Sequence, residues 1–259
     1  MERVRQPLNS EMGWSTRERI VVRGLDLPND ILGHLDLGEM AWLELTGRRP
    51  TPGEAAVFNA VVVTLVEHGL TPSAIAARLT LLGAPEAMQS AVASGLNGMG
   101  SVFAGGSEGV ARLLIEAQAA HPTSAHEAVA AQIVEDHRVR RTALPGLGHH
   151  LHKPIDPRTP RLFEIAAEHG FKGRHVALLE AVQREAERVH QRTLPINATG
   201  AIGALTCELG LPWQASRGLA VIGRAIGLVG HLVEELRTPI GKEIWLRAEE
   251  ESSRAAGAA

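Results

Sequence analysis

The chain is poor in the residues that most often mark a function. Of its 259 residues none is tyrosine, four are phenylalanine, four are tryptophan and only one, Cys207, is cysteine. A single cysteine excludes a disulfide scaffold and a cysteine-based zinc site, and it fits a reducing compartment. The shortage of aromatic rings argues against a stacking surface for single-stranded nucleic acid. The core must therefore be aliphatic, and the 27 glycines would let backbones approach closely.

The chain also lacks an excess of charge and a long apolar run. Its 26 basic and 29 acidic residues give a net charge of −3, which removes the electrostatic argument for a nucleic-acid or anionic-membrane partner. The most apolar run, Val57 to Val66, has 10 residues, whereas a bilayer-spanning helix needs about 20. Residues 1–13 contain no apolar segment typical of a secretory signal. We therefore expect a soluble, cytoplasmic protein with one large domain or two small ones.

Apolar residues recur with the period of an α-helix from about residue 54 onward. The pattern predicts helices over residues 54–68, 73–82, 86–101, 107–120, 125–140, 159–170 and 176–189. A further helix carries an apolar stripe that we expect to be buried, formed by Leu219, Ile222, Ile226, Val229, Val233 and Leu236. Only Arg19 to Arg23 looks like a strand. The predicted fold class is all-α, and the absence of alternating strands and helices argues against a doubly wound nucleotide-binding fold.

Glycines occur at two places where packing and function compete as explanations. Gly223 and Gly227, four residues apart on the last predicted helix, favour a close contact with a neighbouring helix. Gly105 and Gly106 are interpreted as a break before a helix that begins at Ser107. The glycines in this region do not form a phosphate loop, because neither a preceding strand nor a Gly-Lys-Ser/Thr sequence accompanies them.

Three histidines, His149, His150 and His152, follow a loop rich in glycine and proline, and such loops between helices often carry function. No cysteine or carboxylate stands at ligand spacing from them, so we expect no metal site. A catalytic or substrate-binding histidine is the better functional interpretation. The structural alternative is that these side chains only cap a polar loop.

The surrounding string is more specific than any single histidine. Residues 145–149 read Pro-Gly-Leu-Gly-His, followed by Lys153 and by Asp-Pro-Arg at residues 156–158. This string resembles the active-site loop of the citrate synthase family, and the resemblance continues in register from about residue 13 to residue 246. Within that family, residues 67–69 and 226–231 look most like citryl-CoA lyases and the C-terminal lyase module of ATP-citrate lyase.

The resemblance implies a homodimer or higher homo-oligomer of all-α subunits, with the active site in a cleft between two domains. The large domain would comprise residues 1–107 and 205–259, and the small domain, residues 108–204, would be inserted between them. The implied enzyme cleaves or forms the C–C bond between an acyl-CoA and a 2-oxo acid, citryl-CoA giving acetyl-CoA and oxaloacetate. The coenzyme A thioester would be a substrate, and no cofactor would be bound permanently.

The functional residues of the family map onto this chain position by position. His149 would exchange a proton with the carbonyl of oxaloacetate or the hydroxyl of citryl-CoA, since histidine gives or takes a proton near neutral pH. Carboxylates suit guanidinium groups, and the residues that would bind the polycarboxylate are His68, Arg158 and Arg224. Those that would contact coenzyme A are Pro145, Gly146, Leu147, Gly148 and Lys153. His68 could alternatively only cap the helix that precedes it.

Two departures from the family pattern bear on the chemistry. Residues 104–106 read Ala-Gly-Gly where the family usually has His-Gly-Gly, so the histidine that hydrogen-bonds the thioester carbonyl is missing. Residues 197–199 read Asn-Ala-Thr where the family has Asn-Val-Asp, so Thr199 occupies the position of the catalytic aspartate. Threonine does not titrate near pH 7, and acid–base assistance typically contributes about 10²- to 10⁴-fold to a rate.

Three possibilities therefore stay open. The protein is a weak lyase that uses water or another residue, an enzyme for a related acyl-CoA in which Thr199 hydrogen-bonds the substrate, or a catalytically impaired protein that binds CoA or a carboxylate. Glu108 and the paired histidines His149 and His150 are close in sequence to the altered positions, but nothing in the sequence places them at the position of the missing aspartate. Because the chain has no tyrosine, any substitute acid must be Glu, Asp, His, Lys, Cys207 or water.

Overall fold

The computed structural model describes residues 8, 10–149 and 151–257, with side chains described up to Arg254. Most of the N-terminal segment and His150 lie outside the described residues. The strands are β1 (Gly13–Ser15), β2 (Ile20–Val22) and β3 (Leu25–Asp26). The helices are α1 (Leu37–Thr46), α2 (Pro52–Val66), α3 (Pro72–Gly83), α4 (Met88–Asn97), α5 (Gly100–Ala120), α6 (His126–Arg140), α7 (Arg158–Glu168), α8 (Arg174–His190), α9 (Ala198–Glu208), α10 (Ala215–Arg237) and α11 (Gly241–Gly257).

The chain divides into two compact units within α2, after residue 59. The first unit contains a small antiparallel sheet in the order β1-β2-β3, followed by α1 and the first part of α2. Asp36 and Glu39 form a capping box that starts α1, because each side chain accepts a backbone N–H that the helix leaves unpaired. Trp42 and Phe58 form the centre of its core, with ring centroids 5.5 Å apart in an edge-to-face contact.

The second unit is built from the remainder of α2 and from helices α3 to α11. Helix α3 packs on α4, α5 on α9 and α6 on α8, while α10 lies against α3, α4 and α5. Its core is aliphatic and includes Val110, Leu114, Val134, Leu178, Leu179, Ile202, Leu205, Leu228 and Leu232. The prediction of an all-α fold is confirmed, and the predicted strand at residues 19–23 contains β2.

Each predicted helix has a counterpart in the structure, with the largest differences in the middle of the chain. Helices α1 and α11 were not predicted. The helix expected over residues 86–101 ends at Asn97, and α5 begins at Gly100, whose φ of +51° interrupts the helical geometry. Gly105 and Gly106 lie inside α5, so the expected break is wrong. A Cβ atom on Gly106 would lie 3.0 Å from Thr199 Oγ1, and the glycine therefore allows α5 to approach α9.

The apolar stripe expected to be buried on α10 faces outward along most of its length. Only Leu219 is buried, and the half-buried or exposed members are Ile222, Ile226, Val229, Val233 and Leu236. The inward face instead holds Ala220, Gly223, Gly227, Leu228, His231, Leu232 and Glu235. Small residues on this face permit close backbone contact, and its polar residues form buried hydrogen bonds. A pattern of apolar residues at helical spacing reveals neither kind of residue.

The close helix contact predicted from Gly223 and Gly227 is confirmed. A Cβ atom on Gly223 would lie 2.9 Å from the carbonyl oxygen of Val62, and one on Gly227 would lie 1.9 Å from that of Val66. These contacts fix the C-terminal end of α2 on α10. They thereby determine where the chain leaves α2, two residues before His68.

The predicted domain boundaries, residues 1–107, 108–204 and 205–259, stay a prediction. Within the described part of the chain, no helix combines the length and the apolar character needed to cross a membrane.

Replacing Gly227 by alanine should destabilise the protein, because the methyl group would collide with the Val66 carbonyl, and overpacking typically costs about 1–3 kcal/mol. Gly230→Ala on the same helix is the matched control, since nothing lies within 4 Å of its Cβ position. There alanine should stabilise by about 0.5–1 kcal/mol. Urea unfolding followed by circular dichroism measures both free energies. Equal effects of the two substitutions would contradict the tight packing of α2 on α10.

Candidate active site

A cavity of about 260 Å³ brings together five of the residues predicted to form the site. Its polar lining consists of Thr64, His68, His149, Arg158, Asn197, Thr199 and Arg224. Its apolar wall consists of Leu65, Val102, Phe103, Ala198 and Ile202. Residues separated by more than a hundred positions in sequence therefore converge on one small space. Their roles stay predictions, whereas their proximity is a property of the fold.

The loop that carries His149 is fastened to the beginning of α9. Gly146 has a φ of +77°, and a Cβ atom there would lie 2.7 Å from Gly200 Cα, so only glycine fits. The Asn197 N–H donates to the Gly146 carbonyl at 3.0 Å, and Asn197 Nδ2 donates to the Gly148 carbonyl at 2.8 Å. The Gly148 N–H donates to Pro195 at 2.7 Å, so that amide is committed within the protein.

The surroundings of His149 determine which of its ring nitrogens carries the proton. Its Nδ1 accepts hydrogen bonds from the backbone N–H groups of Leu151 and His152, at 3.1 and 3.0 Å. The His152 ring stacks on it with centroids 4.4 Å apart. A neutral His149 therefore has its proton on Nε2. Any proton transfer or hydrogen bond to a ligand would use that atom.

Asp156 joins the beginnings of α7 and α9. It is fully buried and accepts from Arg158 Nε and Nη2 at 2.9 and 2.8 Å and from the Ala198 N–H at 2.9 Å. Burial alone would raise the pKa of Asp156, but the hydrogen bonds from Arg158 and Ala198 outweigh it and hold the pKa at about 2. Sequence reasoning assigned a role to Arg158 and missed this carboxylate, although both belong to the same Asp-Pro-Arg string.

Arg224 has a different electrostatic situation from Arg158. Its Nη1 is buried and has no hydrogen-bond partner among the described residues. Burial lowers the pKa of Arg224, and the charge of Glu67 partly opposes this effect. A buried N–H without a partner is costly, by about 1–3 kcal/mol. A guanidinium in this condition on a cavity wall is suited to an anionic ligand that would accept its hydrogen bond.

His68 lies in the turn after α2 rather than in the helix. Partial desolvation of His68, a residue that is exposed overall, lowers its pKa, and the positive charges of Arg158 and Arg224 lower it further. The ring is therefore neutral at pH 7 while the cavity is empty of anions. The same positive charges that keep it neutral would attract a carboxylate.

Thr199 lies in the first turn of α9, and its hydroxyl is already engaged. Oγ1 donates to Asn197 Oδ1 at 2.7 Å, and that oxygen also accepts the Gly200 N–H at 3.0 Å as the helix cap. A hydroxyl has one hydrogen to donate, so Thr199 in this arrangement can only accept a hydrogen bond from a ligand. It therefore cannot supply the proton that an aspartic acid at this position would supply.

The other acids considered from sequence do not line this cavity. Glu108 Oε2 accepts from Arg217 Nε at 2.6 Å, which commits this carboxylate to an ion pair with Arg217. Cys207 is buried in the helical core, and burial raises the pKa of its thiol to about 12. Ala104 is also buried, and His150 lies outside the described residues.

A second cavity of about 330 Å³ is lined in part by the segment that precedes His149, and most of its other lining residues are basic. Of the five residues predicted to contact coenzyme A, only Leu147 lines it, together with its neighbour Leu144. Lys153 is exposed and lines neither cavity. The basic residues of this second cavity are His137, Arg138, Arg141, His190 and Arg192. Sequence reasoning missed them, because they come from two helix ends about 50 residues apart.

The fold and the site together define a helical protein with adjoining basic cavities suited to anionic ligands. The sequence matches the family described as "Citrate synthase, C-terminal domain" over residues 20–245. The chain therefore belongs to the citrate synthase family, which confirms the resemblance noted in the sequence.

Solved structures place it near the lyases of that family. The structure of citryl-CoA lyase from Hydrogenobacter thermophilus is 32% identical, with a TM-score of 0.81 over 90% of this chain and 88% of that one. A structure of ATP citrate lyase from Methanothrix soehngenii in complex with citrate and coenzyme A has a TM-score of 0.76 at 22% identity, over 90% of this chain and 40% of that one. At the lower identity the likeness concerns the fold alone.

Curated relatives are longer than this chain. Citrate synthase of Deinococcus radiodurans is 25% identical over 198 residues, which cover 73% of this chain and 50% of that protein. A probable ATP-citrate synthase of Dictyostelium discoideum is 23% identical over 222 residues, covering 80% of this chain and 35% of that protein. The chain thus spans half or less of the length of these two relatives.

Replacing Asp156 by asparagine should make the free energy of unfolding less sensitive to a fall in pH below about 4. Its pKa in the folded protein, about 2, is below the ordinary value of 3.8. The ionised carboxylate therefore stabilises the fold above about pH 4, and the contribution, about 2 kcal/mol, is lost as the pH falls toward 2. Urea unfolding at pH values from about 2.5 to about 7 measures how the free energy of unfolding changes with pH.

Glu249→Gln, on the exposed surface of α11, removes one carboxylate without breaking such a network and is the control. Its pH dependence should match that of the wild type. If the unfolding free energy of Asp156→Asn falls with acid as in the wild type, the stabilising role of the buried Asp156 carboxylate would be contradicted.

Proposed function

We propose that the protein is a lyase of the citrate synthase family that cleaves, or in reverse forms, the C–C bond between an acyl-CoA and a 2-oxo acid. The observation that carries the proposal is the buried Nη1 of Arg224, which has no partner among the described residues and lines a cavity shared with His68, His149 and Arg158. The likeness to a citryl-CoA lyase over 90% of the chain supports citryl-CoA as substrate and acetyl-CoA and oxaloacetate as products.

The carboxylates of the substrate would bind to the two arginines and to His68. Arg224 offers its buried N–H, whereas Arg158 has two of its donors committed to Asp156 and would offer those that remain. Neutral His68 can donate one further hydrogen bond. Because charge-assisted hydrogen bonds are about twice as strong as neutral ones, the arginines would contribute most of the affinity.

His149 would act at the oxygen atom that changes between hydroxyl and carbonyl. In the forming direction its Nε2–H donates to the carbonyl oxygen of the oxo acid and polarises it for attack. In the cleaving direction the hydroxyl group gives its proton to bound water, because Nε2 of neutral His149 already carries one, and the oxygen becomes a carbonyl that accepts the Nε2–H hydrogen bond. The electrons of the broken C–C bond pass to the α-carbon of the thioester. Removal of one such positioned group commonly lowers a rate by about 10²- to 10⁴-fold.

The α-carbon must then gain a proton, and this step is where the chain differs from the family pattern. Thr199 donates its only hydroxyl hydrogen to Asn197, so we propose that water supplies the proton. A lyase of this kind would be slow relative to one with an aspartic acid at position 199.

We further propose that the second cavity binds the nucleotide part of coenzyme A. Its arginines and histidines suit phosphate groups, and Leu144 and Leu147 provide an apolar surface beside them. The His149 loop contributes to both cavities, so a thioester bound in one would extend toward the other.

A second candidate function is a protein that binds CoA or a polycarboxylate without turning it over. The engaged hydroxyl of Thr199 and the alanine at position 104 favour it, because both catalytic groups expected there are absent while the binding groups remain. An enzyme for a related acyl-CoA, in which Thr199 accepts a hydrogen bond from the substrate, is the third.

We also propose that the chain forms a homodimer or higher homo-oligomer in the cytoplasm. The exposed apolar residues of α10, Val233 and Leu236 among them, form a surface that a second copy would cover. The buried free thiol of Cys207 fits a reducing compartment.

Thr199→Asp should raise the rate of citryl-CoA cleavage by at least about tenfold, because it restores a titratable acid beside the substrate carbon. The asparagine of Thr199→Asn has nearly the same shape as the aspartate of Thr199→Asp but no titratable acid, so this variant should show no gain in rate. Oxaloacetate release, coupled to malate dehydrogenase and followed through NADH absorbance, measures the rates. If neither the wild type nor Thr199→Asp turns over citryl-CoA while both bind citrate, the binding-protein alternative replaces the lyase.

Arg224→Met should weaken citrate binding by at least about tenfold, the loss expected for a charge-assisted hydrogen bond. Arg217→Met is the matched control, because Arg217 is also on α10 but pairs with Glu108 and does not line the cavity. Isothermal titration calorimetry measures both dissociation constants. Equal citrate affinity in the two variants would show that the anion binds elsewhere.

A further inference from the structure

A chain of charged and polar groups behind the candidate cavity connects α3 and α10 to the turn that carries His68. It starts at Arg78 on α3, whose side chain is only 1% exposed. Arg78 Nη1 donates to Glu235 Oε2 at 2.6 Å, and Nη2 contacts His231 Nδ1 at 2.8 Å. Glu234 accepts from the same guanidinium. None of these groups lines the cavity itself.

Arg78 fixes the tautomer of His231. A guanidinium has only donors and stays charged in proteins, so His231 Nδ1 must be the acceptor of this contact. The proton of the ring is therefore on Nε2, which lies 3.0 Å from Glu67 Oε2. His231 consequently donates to Glu67, and the direction of this hydrogen bond is set by the buried arginine.

Glu67 in turn holds the backbone of the turn after α2. Its Oε1 accepts the N–H of His68 at 2.9 Å and also the N–H of Gly69. Apart from the hydrogen bond from the Thr71 N–H to the Gly69 carbonyl, at 2.8 Å, the turn has little other support, since Glu67, His68 and Leu70 are exposed. Packing alone therefore does not fix the position of His68, whereas the carboxylate of Glu67 does so if its own orientation is fixed.

We propose that His231 is a positioning residue: held by Arg78 in one tautomer, it orients Glu67 and thereby sets the place of His68 at the cavity. The inference rests on the proposed function in one respect, that His68 contacts the bound carboxylate. The alternative is that the network only joins α3 to α10 and has no effect on the turn. The proposal requires the Nε2 donor of His231, which contacts Glu67, whereas the alternative requires only the Nδ1 acceptor, which contacts Arg78.

A pair of amide substitutions separates the two nitrogens. In His231→Gln the side-chain amide reaches the place of Nε2 and can still donate to Glu67. In His231→Asn the shorter amide reaches only the place of Nδ1, so it can accept from Arg78 but offers no donor to Glu67. Both variants replace one neutral polar ring by a smaller amide, and thermal unfolding reports whether each one folds.

The first readout needs no ligand: hydrogen exchange of the His68 and Gly69 amides, measured by NMR in the full chain. We expect exchange at least about fivefold faster in His231→Asn and little changed in His231→Gln, since fivefold corresponds to the loss of one ordinary hydrogen bond. The second readout is citrate affinity by calorimetry, which should fall by at least about fivefold in His231→Asn only.

His175→Gln is the matched control elsewhere in the fold. His175 is a buried histidine beside Glu208, with Nδ1 3.5 Å from Oε2, and it does not line the cavity. The substitution should lower the unfolding temperature without changing exchange at His68 and Gly69.

Exchange at these two amides that is equal in the wild type and both variants would overturn the proposal. So would an equal acceleration in the two variants, or one confined to His231→Gln. If the exchange pattern is as expected but the wild type does not bind citrate, the positioning of His68 stands and the proposed function fails. The two failures are therefore distinguishable.

Discussion

The candidate site depends on the contact between two backbones, at Gly146 and Gly200. A Cβ atom on Gly200 would lie 2.5 Å from the Gly146 carbonyl oxygen, so neither residue tolerates a side chain. Because α9 begins at this point, the contact holds the His149 loop against Asn197, which both caps α9 and binds the Gly148 carbonyl. The two predicted catalytic positions, 149 and 199, are thereby fixed relative to each other by main-chain geometry rather than by their own side chains.

The electrostatics of the site divide its two arginines into unequal roles. Asp156 neutralises and orients Arg158 through two hydrogen bonds, which makes that residue as much a part of the scaffold as a ligand-binding group. Arg224 keeps a buried N–H that has no partner in the described part of the chain, so a bound anion would gain most from it. Glu67 lowers the cost of burying Arg224 without occupying that N–H. Under the proposed function, this arrangement would suit a ligand with two carboxylates, one for each arginine.

Sequence periodicity predicted the helices and the family resemblance predicted the residues that converge on the cavity. The predictions failed where the deciding contact is distant in sequence. Helical period located α3, α6 and α8 well, because each buries an aliphatic stripe. The same reasoning misplaced the inward face of α10, whose glycines and His231 contact α2 and α3 and carry no hydrophobic signal. Gly106 was misread as a break because its neighbour Thr199 is 93 residues away. The basic second cavity forms only when the ends of α6 and α8 meet.

Thr199 limits how far the activity of the family extends to this chain. The residues proposed to bind the substrate are all present, with arginines and histidines lining one cavity and further basic residues lining another. The position expected to supply a proton is changed, since Thr199 donates its hydroxyl hydrogen to Asn197, the residue that caps α9, and α5 packs against Thr199 at Gly106. The lyase proposal therefore depends on His149 and bound water, whereas the binding-protein alternative needs nothing beyond the groups already present.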